Sequence, residues 1–132
     1  MQPRGKAWLT MRRARWGGVL AGVLIPYVAR LPGGIDWLRQ YTETGLAGTA
    51  LLGAFNAIVW GAILFASNFY RRPASLLWPA LFGFGFLAYA HGGLDLYADA
   101  QAGVAIVFIP IYALAPTLAG AIIGYVVDRA GR

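Results

Sequence analysis

Apolar residues occur in long unbroken runs along this chain, and the polar residues fall between the runs. A helix needs roughly 20 mostly apolar residues to cross a bilayer core about 30 Å thick. Residues 45–67 and 102–127 meet this requirement, and residues 74–90 form a shorter run that is still within the spanning range. The pattern therefore predicts membrane-spanning helices rather than the broken periodicity of a soluble core.

A fourth apolar segment, residues 16–29, contains Pro26 and ends at Arg30. It spans a membrane if the Arg30 side chain reaches back to the interface or if the helix continues toward Trp37. Its basic N-terminal flank is also typical of a cleaved signal peptide, but no small-residue cleavage motif follows it. We therefore predict a retained helix, and both Met1 and Met11 stay open as the start of the protein.

Four spans predict a single all-α membrane bundle, with a basic tail at residues 1–15, a membrane domain at 16–127 and a second tail at 128–132. Nine of the eleven Lys and Arg residues flank the spans on one side, whereas Arg30 and Arg39 lie on the other. Basic residues stay on the cytoplasmic side of bacterial membranes. Both termini are therefore predicted to be cytoplasmic, in a multi-pass protein of the inner membrane.

The longest polar connection, residues 30–44, begins with a proline and two glycines that predict a turn. The spacing of Trp37 and Tyr41 then predicts a short helix in the membrane interface, with Asp36 and Arg39 facing outward. This connection is too short to fold as a separate domain.

The composition removes several classes of function. The 132 residues are 59% hydrophobic and 12% charged, and they include no cysteine. Disulfides, thiolate metal sites, Fe–S clusters and cysteine nucleophiles are therefore excluded within the chain. The net charge of +6 comes from residues beside apolar runs, where orientation and anionic lipid explain it better than nucleic acid does.

The confident spans contain no charged residue, which excludes further classes. Small multidrug-resistance transporters are of similar length but need a carboxylate in their first helix, where residues 16–29 have none. A retinal-type Schiff base needs an intramembrane lysine, and Lys6 is the single lysine. Fluoride-channel-like proteins are similar in size, but their dual topology requires almost no basic bias. We expect no enzymatic activity and no cofactor.

One polar stretch, HGGLDLYADAQ, places His91, Asp95 and Asp99 at four-residue intervals. On a continuous helix these side chains would share a face and offer imidazole and carboxylate ligands to a cation. The alternative is a solvated extracytoplasmic loop, because Gly92 and Gly93 are typical of a helix end and Asp99 is suited to start the final helix. We favour the loop and expect no metal.

Residues suited to helix packing occur in the second and fourth long runs. Asn56 lies near the middle of its run, where an amide seeks a partner on another helix or lines a pore. Small residues at four-residue spacing favour helix packing; they are Gly53, Ala57 and Gly61, and likewise Gly18 with Gly22 and Gly120 with Gly124.

The last run contains Pro110 and Pro116, and each removes a backbone donor. An ordinary kink is the favoured interpretation. The alternative is that the freed carbonyls, with Tyr112 and Thr117 nearby, coordinate a transported species as broken helices do in transporters.

Residues 98–125, ADAQAGVAIVFIPIYALAPTLAGAIIGY, resemble the C-terminal part of small uncharacterised bacterial four-helix membrane proteins. The shared features are an Asp-Ala-Gln-Ala start and a Phe-x-Pro-x-Tyr helix. The resemblance covers about a quarter of the chain and implies no reaction or ligand. It adds weight to Asp99, Gln101, Phe108, Pro110 and Tyr112.

Two classes of function lead, and a membrane enzyme that uses His91, Asp95 and Asp99 ranks third. We favour a small accessory, regulatory, assembly or immunity-type protein whose helices bind another membrane protein or a second copy, because small-residue ridges and Asn56 provide helix-contact surfaces. The alternative is a small channel or transporter that uses neutral polar groups of the second and fourth spans.

Overall fold

The computed structural model describes residues 10–131, and over this range the protein is all-α, as the apolar pattern predicts. Five α-helices and four short 3₁₀ turns form this range. The helices are α1 (Met11–Val28), α2 (Ile35–Thr42), α3 (Gly45–Ala66), α4 (Leu77–Gly93) and α5 (Ala105–Ala130).

Within the described residues, three helical segments are long and apolar enough to cross a membrane. They are Gly45–Phe69, Pro73–Gly93 and Ala102–Ala130, and each extends a little beyond the apolar run from which it was predicted. The last one runs past residue 127, where a cytoplasmic tail was expected, so Asp128 lies within a helix.

Helix α1 is not among these three segments, and it begins earlier than the apolar run at residue 16. The hydroxyl of Thr10 accepts a hydrogen bond from the amide of Arg13 at 3.3 Å, which satisfies one free donor at the helix start. Residues 11–15 of the expected basic tail are therefore helical. The rest of that tail, residues 1–9, lies outside the described residues.

Helices α1 and α3 pack antiparallel. Near the start of α1, Nε of Arg15 donates to the hydroxyl of Ser67 at 2.7 Å. Farther along α1, a Cβ at Gly22 would lie 2.6 Å from the Trp60 side chain, so glycine is required for this approach. Residues later in α1 therefore contact residues earlier in α3, as expected for antiparallel helices. The two helices extend over a similar length of the bundle.

Helices α4 and α5 approach each other through glycine. A Cβ at Gly120 would lie 2.6 Å from the carbonyl oxygen of Trp78, and one at Gly124 would lie 2.8 Å from that of Ser75. Any side chain at either position would force the helices apart, which is why small residues are favoured between membrane helices.

The apolar core lies between α3, α4 and α5. Its buried side chains are Val59, Ile63, Tyr70, Leu76, Phe84, Leu87, Ile109 and Ala113. Helix α5 continues through Pro110 and Pro116 without interruption, so the two prolines do not divide it into separate helices.

The predicted turn and short helix are present in the polar connection. A 3₁₀ turn at Leu31–Gly33 leads to Gly34, whose φ of 90° favours glycine, and α2 follows. Asp36 and Arg39 are exposed, as expected. Tyr41, in contrast, is only 1% exposed, because it points into the bundle rather than along an interface.

Candidate functional site

A cluster of polar side chains is buried where the end of α1 and the helix α2 meet α3 and α4. Its centre is Arg30, which is fully buried. From the sequence, this arginine was expected at the end of the first span, on the side opposite the termini or reaching back to the interface, and its burial inside the bundle was not predicted. The physical reason is that the bundle itself supplies enough acceptors to hold a guanidinium away from water.

Four hydrogen bonds hold the Arg30 side chain. Nη1 donates to the carbonyl oxygens of His91 and Leu94 at 2.7 and 2.6 Å. Nε donates to the carbonyl of Trp37 at 2.8 Å, and Nη2 donates to Oε1 of Gln40 at 2.9 Å. The carbonyls at the end of α4 lack partners in their own helix and carry partial negative charge, so a cation is favourable there.

Two aromatic rings face the same guanidinium. Its central carbon lies 4.0 Å from the ring centre of Tyr41 and 4.6 Å from that of Trp37, both suitable for cation–π attraction. The indole of Trp37 also donates to the carbonyl of Gly92 at 2.7 Å. Burial lowers the pKa of Arg30, but an arginine starts from so high a value that it keeps its charge.

Gln40 connects the arginine to the loop after α4. Its Oε1 accepts from Arg30 and from the amide of Leu96, the latter at 2.9 Å, while its Nε2 donates to Oδ1 of Asp95 at 2.9 Å. The same oxygen of Asp95 accepts from the amide of Tyr97 at 3.0 Å. The amide of Gln40 therefore links the positive charge of Arg30 to the negative charge of Asp95 without direct contact between them.

His91 lies in the last turns of α4 and is fully buried, so the expected solvated loop is wrong at this residue. The helix continues through Gly92 because this glycine is used for close packing. A Cβ there would lie 2.9 Å from the carbonyl oxygen of Ala29. The expected helix end at the two glycines is confirmed, because α4 ends at Gly93, and Gly92 is in addition the contact point between α4 and the end of α1.

Both ring nitrogens of His91 have partners. Nδ1 lies 2.7 Å from the hydroxyl of Tyr41, and Nε2 lies 3.1 Å from Oδ1 of Asn56. A neutral imidazole satisfies this arrangement when Tyr41 donates to Nδ1 and the Nε2 proton is donated to Asn56. Burial raises the pKa of Tyr41 to about 12, so its phenol keeps the proton that this bond requires.

The chain of contacts thus runs from the polar end of the bundle to the middle of α3. Asn56 is 1% exposed and accepts from His91, but its Nδ2 has no hydrogen-bond partner among the described residues. The indole nitrogen of Trp60, one turn farther along α3, is likewise unpartnered there.

The structure does not bring the predicted trio His91, Asp95 and Asp99 together. His91 contacts Tyr41 and Asn56, Asp95 contacts Gln40, and Asp99 is exposed. Oδ1 of Asp99 accepts from the amide of Gln101 at 2.7 Å, just before the 3₁₀ turn that leads into α5. In residues 10–131, no group of three metal-binding side chains forms.

A second polar cluster lies at the opposite end of the bundle. The carboxylate of Asp128 is 2% exposed and accepts from the amides of Arg71 and Arg72 at 2.9 Å each. It also accepts from the hydroxyl of Ser75 at 2.6 Å. Sequence analysis assigned Asp128 to a tail and gave it no role; here it fixes the turn between α3 and α4 against α5.

The residues predicted for packing or a pore divide into two groups. Thr117, Gly120 and Gly124 are buried, and the hydroxyl of Thr117 donates to the carbonyl of Ala113 at 2.7 Å. Tyr112 is 65% exposed and lies outside the bundle.

Gly53, Ala57 and Gly61 lie along α3, where Gly53 is exposed and the other two are half-buried among the described residues. A Cβ placed at Gly53 or Gly61 would meet nothing within 4 Å.

The sequence signal for the main cluster was weak but present. Arg30 follows an apolar run, and Trp37, Gln40 and Tyr41 follow within three helical turns of it. Aromatic rings and an amide are groups that accompany a buried guanidinium. That combination would have favoured an internal position over an exposed one.

No protein-family model, curated protein or solved structure matches this chain. The contacts themselves are therefore the basis for inferring a function.

Proposed function

We propose that this chain is a four-span protein of a bacterial-type inner membrane with both termini cytoplasmic. Three spans rest on long apolar helices. The proposal for the fourth is supported by the 18 residues of α1, which reach about 27 Å as a helix, and by its antiparallel packing on α3. The bias of basic residues toward one side supports the orientation.

Within that membrane, we propose that the protein is an accessory subunit that binds another membrane protein or a second copy of itself. The observation that carries this proposal is the ridge of Gly53, Ala57 and Gly61 on α3. Small residues at this spacing let two helices approach closely. Gly120 and Gly124 serve this purpose within the bundle, whereas nothing among residues 10–131 lies within 4 Å of a Cβ placed at Gly53 or Gly61.

The buried polar clusters support the same function. They join α1, α2 and α4 at one end and α3, α4 and α5 at the other. A bundle that is held together at both ends presents its outer faces in a fixed arrangement. This favours recognition by a partner, because the protein loses less conformational freedom on binding.

The experiment adds bulk to the ridge. Gly53→Leu combined with Gly61→Leu should leave the fold intact, because a Cβ at either position meets nothing within 4 Å among the described residues. Gly85→Leu is the matched control, since Gly85 is also helical and open but lies on α4. Each variant is extracted in mild detergent, and its self-association and stoichiometric co-purifying proteins are measured.

We expect the ridge variant to lose the complex and the Gly85 variant to keep it. A wild-type protein that is monomeric and carries no stoichiometric partner would contradict the proposal. So would a complex that both variants retain equally. Matching thermal unfolding of the two variants shows that the loss is not a folding defect.

A channel or transporter is the alternative, and the unpartnered donors of Asn56 and Trp60 favour it. Ion flux in proteoliposomes separates the two functions. Transport through the bundle interior predicts that Asn56→Leu abolishes flux, whereas Tyr112→Phe, on the outside of the bundle, leaves it unchanged.

A further inference from the structure

A groove of about 510 Å³ lies between the first turns of α1 and the end of α3. Its polar end is formed by Arg12, Arg15 and Asn68. No acidic residue lines it, so the two guanidinium groups give it a positive charge that nothing within the groove neutralises.

Arg15 is held in place by its neighbours on the far side of the groove. Nε donates to Ser67 at 2.7 Å, and Nη2 donates to Oδ1 of Asn68 at 3.0 Å. Among the described residues, neither Nη1 of Arg15 nor the guanidinium of Arg12 has a hydrogen-bond partner. The groove therefore has one oriented guanidinium with donors to spare and a second cation one turn away.

The other end of the groove is apolar and lies deeper along the helices. Toward the C-terminal end of α1, the residues that line the groove change from Arg12 to Trp16 and then to Val19. On the other side, from Asn68 toward the N-terminal end of α3, the lining residues change to Phe65 and Leu64. Since the two helices are antiparallel, both sides change from polar to apolar in the same direction.

Trp16 marks the level at which the change occurs. It is 66% exposed, and a tryptophan beside basic residues at the end of a membrane helix is typical of the headgroup level of a bilayer. The cationic end then lies among headgroups and the apolar end among acyl chains.

We propose that this groove binds one anionic phospholipid, such as phosphatidylglycerol, from the leaflet on the side of the N-terminus. The phosphate would lie against Arg12 and Arg15, and an acyl chain would lie along Val19 and Leu64. A basic pocket between membrane helices has the charge that such a headgroup requires. A free phosphate would use the polar end alone, whereas the lipid uses both ends.

The test uses the full chain extracted from membranes and counts retained lipid by native mass spectrometry. Protein is exchanged into neutral detergent with equal phosphatidylglycerol and phosphatidylcholine. We expect one retained phosphatidylglycerol. Arg12→Gln with Arg15→Gln should lower its retention by at least about tenfold, since each arginine near a membrane surface contributes to anionic lipid binding.

Arg71→Gln with Arg72→Gln is the control, because it removes the same charge from the same end of the bundle but not from the groove. Arg12→Gln alone is a second variant, since the guanidinium of Arg12 contributes no hydrogen bond to the described fold. An excess of glycerol phosphate and of inorganic phosphate tests the free-anion source.

Retention that falls in both groove variants and persists in the control supports the proposal. It is overturned if phosphatidylcholine is retained equally well, or if the control loses as much lipid as the groove variants. Displacement of the lipid by millimolar inorganic phosphate would identify a simple anion site and would likewise overturn it.

Discussion

The hydroxyl oxygen of Tyr41 lies 2.7 Å from Nδ1 of His91, fifty residues farther along the chain. The same tyrosine ring lies under the guanidinium of Arg30 at 4.0 Å. One side chain of a short helix thus contacts both the buried imidazole of α4 and the buried cation that follows α1. The stability of this end of the bundle therefore depends on α2, although α2 is too short to span a membrane.

Tyr41→Phe should lower the free energy of unfolding by about 1 to 2 kcal/mol, because it leaves a buried ring nitrogen of His91 without its donor. Denaturant titration in mixed micelles measures this change. Tyr97→Phe is the matched control, since its hydroxyl makes a long contact of 3.5 Å with Glu43 at the surface. Equal effects of the two substitutions would mean that the buried bond contributes nothing.

Arg30→Gln should be the most destabilising single change in this cluster, by about 3 kcal/mol or more, because it leaves the carbonyl groups of Trp37, His91 and Leu94 without their side-chain donor. Arg39→Gln removes an equal charge from an exposed ion pair of 3.4 Å and should change stability by less than about 1 kcal/mol. The two are compared by unfolding in the same micelles. An Arg30 variant as stable as the Arg39 variant would refute the buried position.

The pKa of Tyr41, raised by burial to about 12, predicts a loss of stability in alkali. An unfolded tyrosine ionises near pH 10, so the unfolded state releases its proton first as the pH rises. Stability is therefore complete below pH 10 and falls between pH 10 and pH 12. Unfolding measured against pH should show this decline in the wild type, and the decline should be shallower in Tyr41→Phe.

Asp128→Ala should destabilise the protein more than Asp99→Ala does. Asp128 accepts three hydrogen bonds between α5 and the turn before α4, whereas Asp99 accepts one local bond from Gln101 at the surface. Thermal unfolding in detergent ranks the two variants. Asp128→Asn keeps the shape and part of the acceptor capacity, so it should fall between Asp128→Ala and the wild type.

The proposed orientation predicts that a reporter fused after Arg132 is active only when the reporter works in the cytoplasm. A reporter inserted in the loop at Ala98 should show the opposite behaviour, because this loop connects α4 and α5 at the other side of the membrane. Alkaline phosphatase activity from the C-terminal fusion would mean an odd number of spans or an inverted protein.

Much of the fold follows from the sequence because the apolar runs are long. Each of three apolar runs corresponds to a helix, namely residues 45–67, 74–90 and 102–127. An apolar segment of this length has to pair its own backbone donors and acceptors in a membrane, and a helix does so. The short helix after Gly34 was also predicted correctly, from aromatic spacing and a preceding turn.

The candidate site could not be predicted, because its bonds join residues far apart in the sequence. No pattern near Arg30 in the sequence indicates that two of its acceptors are the carbonyl groups of residues 91 and 94. Gly92 shows the same limit. The pair of glycines predicts the helix end, and α4 does end at Gly93. The close approach of Gly92 to the carbonyl oxygen of Ala29 joins distant parts of the sequence, so no local pattern indicates it.

The bonds of Arg30 also constrain how the protein is made. Its acceptors at residues 91 and 94 are synthesised about sixty residues after the arginine itself. Until these residues are synthesised, two of the four acceptors of this guanidinium are missing. The segment after α1 therefore cannot complete its contacts until α4 has been made.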